Sequence, residues 1–370
     1  MDQFSKLRLR PSVAIVAKNE YTEFFLSNIR KSIVIKMDAS ISDFLFELDG
    51  SKTVSEWLNQ KEINSEEKDV FFELLSFLNA NSVLIDNDIT YDNEDYQTYP
   101  RVFTLLEDYI SKKSQVQSSF DKIKQSKVMI VGLGSVGNWV SLSLAMSGVK
   151  QFILVDPDKV DLSNIHRQAG FAEADNGMTK VSVMSNRLKN MLPEVEVECF
   201  ENWLDDDFFE KTNISDVDLI INCADYPTVD KTSMLIGEYC MKNKISHIIG
   251  GGYNLHQSLI GQVVIPGETA CVECFRVHLD EINEIDTSNI YRLNSSARKV
   301  GSFPPLSSLS AAITANEAFK LLAGLKNIVM HNSRTEFMMR ELNFSNLLMN
   351  RRPDCNWCGY EGKYYQLSGN

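Results

Sequence analysis

The sequence predicts an α/β fold built on a doubly wound, mostly parallel sheet. Three observations predict it. Apolar strand-like runs alternate with helical stretches through the second half of the chain. A glycine-rich loop joins the first of these strands to a helix, and two Cys-x-x-Cys pairs come after the last of them. We therefore expect one large domain with a metal site near its C-terminal end, preceded by a smaller α+β unit.

Composition and charge narrow the range of functions. The 370 residues, 44% of them apolar, suffice for one large domain and a smaller one. A net charge of −13 disfavours a broad basic face, so we expect neither nucleic acid nor an anionic membrane as a partner. No run approaches the roughly 20 apolar residues that span a bilayer, and the first residues lack the apolar core of a secretion signal. These features predict a cytoplasmic protein.

Residues 1–86 indicate a small unit of their own. Strand-like runs come first and amphipathic helical stretches follow, the last of which begins with the capping pattern Ser65-Glu-Glu-Lys68. The expected strands cover 13–16, 23–26, 32–37 and 82–86, and the expected helices cover 40–48, 53–60 and 65–79.

This unit resembles the winged-helix-like peptide-recognition domain of enzymes that mature ribosomally made peptides. Its three N-terminal strands, the phrase LDGSKTVSEWL at 48–58 and the apolar helix running into SVLI carry the resemblance. The resemblance implies that residues 1–86 recognise the leader of a precursor peptide. An ordinary winged-helix module that packs a dimer is the alternative. Residues 87–98, acidic and poor in aliphatic side chains, are expected to form a solvated linker.

Residues 99–370 indicate the large domain. A helical stretch from about residue 100 to 125 leads into the first strand, and strands then alternate with helices. The expected strands cover 127–131, 151–155, 195–200, 217–222 and 245–249. This alternation predicts a Rossmann-like sheet.

The loop Gly132-x-Gly134-x-x-Gly137 predicts a phosphate site. It follows a strand and opens a helix, so that glycines allow the backbone to approach phosphates and the helix N-terminus offers amide donors. Asp156 ends the next strand, at the spacing expected of a carboxylate that accepts hydrogen bonds from a ribose. A strand-end acid with no ligand is the alternative for Asp156.

The residues that follow separate ATP chemistry from hydride transfer. Asn164, Arg167 and Lys180 place an amide, a guanidinium and an ammonium in one loop-helix segment. Arginine can grip a phosphate through two N–H groups, and lysine can offset the charge that develops as pyrophosphate leaves. A nicotinamide oxidoreductase has no use for these cations and is the least favoured function.

Five motifs in order resemble the ubiquitin-activating superfamily, whose bacterial branch includes sulfur-carrier adenylyltransferases and the microcin C precursor-peptide adenylyltransferase. The resemblance covers about residues 99–360. The motifs are VGLGSVG, LVDPDKVDLSNIHRQ, GMTK, NCADYPT and the pair CVEC…CNWC.

The resemblance implies a role for each matching residue. Asp156 would bind ribose, and Asn164, Arg167 and Lys180 would bind the triphosphate of ATP. Asp225 would hold Mg²⁺ near the α-phosphate, with a helix N-cap as its alternative.

A further implied role concerns Arg101. It would reach the nucleotide of a neighbouring subunit, which makes the expected enzyme a homodimer. The alternative is an ordinary surface arginine.

The two cysteine pairs predict a structural zinc site. Cys271, Cys274, Cys355 and Cys358 supply four thiolates, which complete a tetrahedral Zn²⁺ shell and leave no position for water. Two unrelated thiol pairs are the alternative.

The remaining cysteines argue against thioester chemistry. No cysteine lies in 275–310, where related activating enzymes place an acyl-accepting thiol. Cys199, Cys223 and Cys240 lie in apolar contexts and are expected to be buried and inert.

The segment 278–305 is expected to be a crossover loop that breaks at Pro304-Pro305. Its side chains Arg292, Arg298 and Lys299 are candidates to meet the substrate, and a solvated loop without that role is the alternative.

The favoured function is ATP-dependent adenylation of a carboxylate or carboxamide on a ribosomally made precursor peptide, as in antibiotic biosynthesis. C-terminal nucleotide capping and cyclisation through an activated Glu side chain both remain open. A sulfur-carrier or molybdopterin-type adenylyltransferase is the second hypothesis. A catalytically silent leader-peptide scaffold is the third, and the retained phosphate ligands speak against it.

Overall fold

The chain divides into two compact units, Met1–Asp121 and Lys122–Asn370. The computed structural model describes residues 3–18, 20–37, 39–60, 64–212, 214–249, 252–254, 257–283 and 301–365. Residues 1–86 and 87–98 both fall within the first unit.

The first unit combines two small antiparallel sheets with helices. Its strands are β1 (Leu7–Leu9), β2 (Val13–Lys18), β3 (Tyr21–Leu26), β4 (Lys31–Lys36) and β5 (Leu84–Asp86). Its helices are α1 (Ala39–Phe46), α2 (Val54–Asn59), α3 (Ser65–Ala80), α4 (Glu94–Thr98), α5 (Pro100–Glu107) and α6 (Lys113–Gln125), the last of which continues past the boundary between the units. One sheet has the order β2-β3-β4, and β1 pairs with β5 in the other.

Alternation along these strands explains why one face of the three-stranded sheet is buried. Phe24 and Leu26 of β3 lie in a core with Leu45, Trp57 and Leu75. The intervening side chains of β2 and β4 remain more exposed, as period-two patterning requires.

The N-cap of helix α3 lies one residue earlier than expected, at Asn64. The side chain of Asn64 accepts a hydrogen bond from the backbone N–H of Glu67 (2.9 Å), and the Glu67 carboxylate accepts one from the N–H of Asn64 (3.0 Å). Ser65 is therefore the first helical residue rather than the cap, because the reciprocal bonds of a capping box need a spacing of three residues.

The segment expected to be a solvated linker has local structure. It contains helix α4, capped by Asn93, whose side chain accepts from the N–H of Tyr96. The rings of Tyr91 and Tyr96 lie 4.9 and 5.5 Å from that of Phe103 on α5. The acidic composition of residues 87–98 did not indicate these aromatic contacts.

The second unit contains the expected α/β architecture. Its main sheet comprises β6 (Lys127–Val131), β7 (Gln151–Val155), β8 (Glu196–Phe200), β9 (Leu219–Asn222), β10 (Ser246–Ile249) and β13 (Gln262–Val264). The strand order is β13-β10-β9-β6-β7-β8, and all pairs are parallel except β10 with β13. The central strands β6 and β9 are almost wholly buried, as continuous apolar runs in parallel sheets should be.

Helices accompany this sheet. They are α7 (Ser135–Met146), α8 (Lys180–Met191), α9 (Phe208–Lys211), α10 (Val229–Asn243), α11 (Val272–Asn283) and α12 (Pro304–Leu322). Among the described residues, no helix has both the length and the apolar character needed to cross a membrane.

A second, antiparallel sheet of four strands was not expected. It consists of β11 (Gly252–Asn254), β12 (Gln257–Ile260), β14 (Ser333–Met338) and β15 (Asn343–Leu348), in the order β11-β12-β14-β15. Strand β15 is exposed along its whole length, and its sequence NFSNLL lacks the regular alternation of apolar and polar residues that predicts strands.

Both ends of the segment expected to be a crossover loop are helical. Residues 278–283 belong to α11, and Pro304 and Pro305 open α12 instead of breaking the chain. Proline is well suited to the first turn of a helix, where its missing N–H has no intrahelical partner. Arg292, Arg298 and Lys299 lie outside the described residues.

Candidate functional site: a nucleotide cavity and a four-cysteine cluster

A cavity of about 1310 Å³ lies in the second unit, at the carboxyl ends of β6, β7 and β9. Open parallel sheets bind ligands at this edge. The cavity brings together seven of the residues expected to form the nucleotide site. They are Gly132, Gly134, Asp156, Asn164, Arg167, Lys180 and Asp225.

Two glycines of the loop are required by the protein itself. Gly132 has φ +88°, and a Cβ there would lie 2.7 Å from the backbone N of Ala224. A Cβ on Gly137 would lie 1.9 Å from the carbonyl oxygen of Gly132. The turn from β6 into α7 can therefore close only with glycine at these two positions.

Gly134 differs, because a Cβ there would meet nothing within 4 Å. It is the N-cap of α7 and lines the cavity. Packing does not explain this glycine, whereas close approach of a ligand to the helix N-terminus does.

Asp156 is 4% exposed and organises the loop. Its carboxylate accepts hydrogen bonds from the N–H groups of Leu133 (2.5 Å) and Asp158 (2.8 Å). Burial raises the pKa of Asp156, and the charge of Lys180 opposes that rise. The carboxylate thus has a structural role in positioning the loop, and each of its oxygens retains acceptor capacity for a ribose hydroxyl.

Lys180 begins α8 and is 5% exposed. Its Nζ donates to the carboxylate of Asp158 at 2.7 Å and lies 3.8 Å from that of Asp156. The ammonium is therefore held at the cavity wall by two carboxylates.

Asn164 and Arg167 lie on the loop between β7 and α8. The side-chain oxygen of Asn164 accepts from the N–H of Asp161 (3.3 Å), and Nη1 of Arg167 donates to the carbonyl of Ser163 (2.7 Å). Because Arg167 carries further N–H groups, it can keep this bond and still grip a phosphate.

Asp225 follows β9 and is exposed in the cavity. The alternative that it caps a helix is wrong. Thr228 caps α10, since its side chain accepts from the N–H of Lys231 (3.2 Å). The Asp225 carboxylate is a hard oxygen ligand of the kind that Mg²⁺ prefers.

Arg101 is not among the residues that line the cavity. It lies exposed in the first turn of α5, in the other unit. Its role at a neighbouring subunit's nucleotide stays a prediction.

Two pairs of residues that line the cavity were not predicted from the sequence. Trp203 follows β8 and Tyr226 follows β9, and their rings lie 4.6 Å apart. Both residues lie just after the carboxyl end of a strand, and this position could have indicated that they line a ligand site. Arg334 and Glu336 lie on β14, which gave no signal because that strand was not predicted.

The four cysteines of the two pairs lie together. Their ligand atoms all fall within 4.8 Å of one another, and the four residues are buried. The Sγ–Sγ distances are 3.8 Å for Cys271–Cys274, 3.5 Å for Cys271–Cys355 and 3.4 Å for Cys274–Cys358. Four sulfurs at about 2.3 Å from a tetrahedral metal would lie roughly 3.8 Å apart, so this cluster fits a metal ion.

The other cysteines differ in exposure. Cys240 is buried and Cys223 is partly buried, and burial raises the pKa of Cys223 to about 12. Cys199 is exposed, which corrects the expectation of a buried thiol, because it lies on the edge strand β8. Its sulfur still contacts the carbonyl of Val181, and partial loss of water around that sulfur raises the pKa of the thiol. None of the three has the lowered pKa of a reactive nucleophile.

Curated relatives match part of the chain. A tRNA threonylcarbamoyladenosine dehydratase of Haemophilus influenzae is 34% identical over 139 residues, which are 36% of this chain and 50% of that protein. The chain thus spans about half the length of that relative. The molybdopterin-synthase adenylyltransferase of Escherichia coli is 28% identical over 245 residues, or 65% of this chain and 89% of that enzyme.

Solved structures share the fold over nearly the whole chain. The E. coli MccB structure with ATP has a TM-score of 0.75 at 23% identity and covers 95% of this chain and 99% of MccB. MccB, described as a microcin C7 biosynthetic enzyme, has also been solved with N-formylated MccA, with a TM-score of 0.74.

The family model for the ThiF family matches residues 110–357, about two thirds of the chain. That span includes the glycine loop, the cavity residues of the large domain and three of the four clustered cysteines, and Cys358 follows it directly. The chain therefore belongs to the ThiF family, within the ubiquitin-activating superfamily.

Proposed function

We propose that this enzyme adenylates a carboxylate or carboxamide of a ribosomally made precursor peptide, as a step in the biosynthesis of a peptide natural product. The first unit captures the leader of the peptide, and the cavity of the second unit binds Mg-ATP. Both units act in the cytoplasm.

One observation carries the choice of a peptide substrate. The first unit contains a three-stranded sheet whose outer strands, β2 and β4, pair with no further strand within the described residues. An extended peptide can add to such an edge through backbone hydrogen bonds. Exposed Val16, Tyr21 and Val34 offer apolar contacts on the same sheet. In support, the fold match to MccB extends over this unit, whereas the match to the molybdopterin-synthase enzyme covers only 65% of the chain.

The proposed chemistry needs no covalent enzyme intermediate. An acyl oxygen of the peptide attacks the α-phosphorus of ATP, the bond to the β-phosphate oxygen breaks, and pyrophosphate leaves. Arg167 and Lys180 offset the negative charge that develops on the leaving group. Asp156 positions the ribose and the amide groups at the start of α7 receive a phosphate. In a cyclisation, a peptide nitrogen then attacks the acyl carbon, the bond from that carbon to the phosphate oxygen breaks, and AMP leaves. In a capping reaction, a peptide nitrogen instead attacks the phosphorus, and the bond from phosphorus to the acyl oxygen breaks.

The Asp225 carboxylate and the four clustered thiols are donors that suit two different metal ions. Asp225 would hold Mg²⁺, which supplies charge neutralisation at the phosphates. The four thiolates of the cysteine cluster would hold a structural Zn²⁺, since a complete tetrahedral shell leaves no site for a reacting ligand.

The enzyme is proposed to be a homodimer in which Arg101 of each subunit reaches the partner's nucleotide. Loss of activity on Arg101→Ala, restored by mixing with a Lys180→Ala variant, would support this arrangement, because each mixed dimer would regain one complete site.

A sulfur-carrier adenylyltransferase is the second candidate, and the molybdopterin-synthase relative favours it. The two candidates differ in their acyl substrate. Incubation with Mg-ATP and either a peptide encoded beside the gene or a ubiquitin-like protein ending in Gly-Gly should release pyrophosphate with only one of them. Pyrophosphate release with the Gly-Gly protein alone would reject the peptide proposal.

The peptide edge can be tested by a matched pair of substitutions. Removing residues 1–86 is unsuitable, because Glu107 is buried and pairs with Arg8 at 2.6 Å within the same compact unit. Val34→Asp on β4 should instead weaken turnover at low peptide concentration and spare it at saturation, since leader binding raises the local concentration of the core peptide. Val70→Asp, on the equally exposed surface of α3, is the control. Equal effects of the two variants would remove β4 as the docking edge.

A further inference from the structure

One wall of the nucleotide cavity is formed by residues that are not expected to bind the nucleotide. Its 1310 Å³ exceed the roughly 300–1,000 Å³ of ordinary small-molecule pockets. The residues expected to bind ATP come from the six-stranded sheet and the loops and helices that follow its strands. Arg334 and Glu336 also line the cavity, and they come from β14 of the separate four-stranded sheet. The cavity therefore offers room and side chains for a second substrate.

Strand β14 holds these two side chains in a fixed position. It pairs with β12 on one side and with β15 on the other, so its backbone is held along both edges. Residues two apart on a strand face the same side, and Arg334 and Glu336 both reach the cavity. Between them, Thr335 is buried and donates to the side-chain oxygen of Asn346 at 2.7 Å.

The ion pair between Arg334 and Glu336 leaves one N–H donor group and one carboxylate oxygen free to bind a ligand. Nε and Nη2 of Arg334 lie 3.0 and 2.9 Å from a single oxygen, Oε1 of Glu336. In the part of the chain that the structure describes, neither Nη1 of Arg334 nor Oε2 of Glu336 makes a hydrogen bond. Both side chains are 27% exposed, and an ion pair of such exposure stabilises a fold little. Stability does not explain why a strand should present this pair to a cavity.

We propose that Arg334 and Glu336 form a subsite for an amide group of the acyl substrate, next to the carbonyl that is activated. Nη1 of Arg334 donates to the amide oxygen and Oε2 of Glu336 accepts from the amide N–H. The inference rests on the proposed function for the identity of the substrate. A bare carboxylate fits less well, because it offers no donor to Glu336 and its charge opposes that of the glutamate. The pair positions the substrate and takes no part in bond making.

Saturation-transfer NMR with N-acetylglycinamide tests this subsite without any turnover. The probe carries amide oxygens and N–H groups, and a non-hydrolysable ATP analogue with Mg²⁺ fills the phosphate side of the cavity. Arg334→Gln and Glu336→Gln should each weaken binding of the probe about tenfold, since each removes a charged hydrogen-bond partner. Arg187→Gln is the control, because Arg187 is exposed, pairs with Asp175 and does not line the cavity.

Measurements of ATP affinity, acetate binding and saturation transfer in the wild-type protein test the subsite further. ATP affinity should change less than about twofold in Arg334→Gln, whereas a tenfold loss would make Arg334 a phosphate ligand and overturn the proposal. Acetate binding as strongly as the amide probe would overturn the choice of an amide. The absence of saturation transfer in the wild-type protein, or an equal signal in all variants, would overturn the subsite. Because none of these readings requires adenylation, a failure of the proposed function shows separately, as absent pyrophosphate release.

Discussion

The ammonium of Lys180 lies 3.8 Å from the carboxylate of Asp156, and both side chains are almost completely buried. A buried carboxylate next to a buried ammonium is stabilised in its charged form, so each residue depends on the other. The same two residues are expected to bind the ribose and the triphosphate, which couples the electrostatics of the loop to nucleotide binding.

We predict that Lys180→Met makes stability depend more steeply on pH. Burial already raises the pKa of Asp156, and the variant removes the charge that opposes the rise. The folded state then binds more protons than the unfolded state between the two pKa values, so stability falls as pH increases through that range. Thermal melts should show a larger deficit relative to wild type at pH 8 than at pH 5. Lys211→Met, which breaks an exposed ion pair with Asp207, should show no such trend.

The same variant should lose turnover more than nucleotide affinity. The ammonium is expected to act mainly on charge that develops as pyrophosphate leaves, so kcat should fall while the Kd of ATP changes less. Parallel titration and turnover measurements check this, and an equal loss of both quantities would assign Lys180 to ground-state binding.

A pair of glycine substitutions should separate folding from ligand binding. Gly137→Ala forces a Cβ to within 1.9 Å of the Gly132 carbonyl, and backbone must move, at a cost of about 1–3 kcal/mol or more. Gly134→Ala meets no protein atom within 4 Å and should leave the melting temperature unchanged. It should nevertheless weaken ATP binding, because the methyl group occupies the space of the ligand. A melting temperature lowered equally by both substitutions would contradict this division.

The sequence predicted the parallel sheet and seven cavity residues because both leave local signals. Buried parallel strands such as β6 and β9 are continuous apolar runs, and residues at their carboxyl ends must converge on one edge. The four-stranded sheet has no comparable signal, since β14 (SRTEFM) and β15 (NFSNLL) show neither a continuous apolar run nor a regular alternation of apolar and polar residues. Arg334 and Glu336 were missed for that reason. Tyr91 and Tyr96 show a further limit, because ring contacts with Phe103, which lies outside 87–98, order a segment whose composition suggests a linker.

Removal of one cysteine should release the metal. Purified protein is expected to contain about one zinc per chain, and Cys355→Ser should lose it and lower the melting temperature, because a structural zinc contributes folding free energy. Cys199→Ser, on the exposed edge strand, is the matched control and should keep the metal. Freshly purified wild-type protein without metal would remove the four-thiolate site.

Trp203 should report nucleotide binding through its fluorescence. The chain has four tryptophans, and Trp203 lines the cavity with half of its surface exposed beside the ring of Tyr226. A nucleobase bound at this edge of the sheet would stack on or cover the exposed indole and exclude water from it. ATP should therefore quench or shift the emission of the wild-type protein, and Trp203→Phe should abolish that change. Trp57→Phe is the control, because Trp57 lies buried in the core of the first unit and its loss should leave the response intact. If the ATP-dependent change survived in Trp203→Phe and disappeared in another tryptophan variant, the base would lie away from the Trp203–Tyr226 pair, and the position of ATP in the cavity would have to be revised.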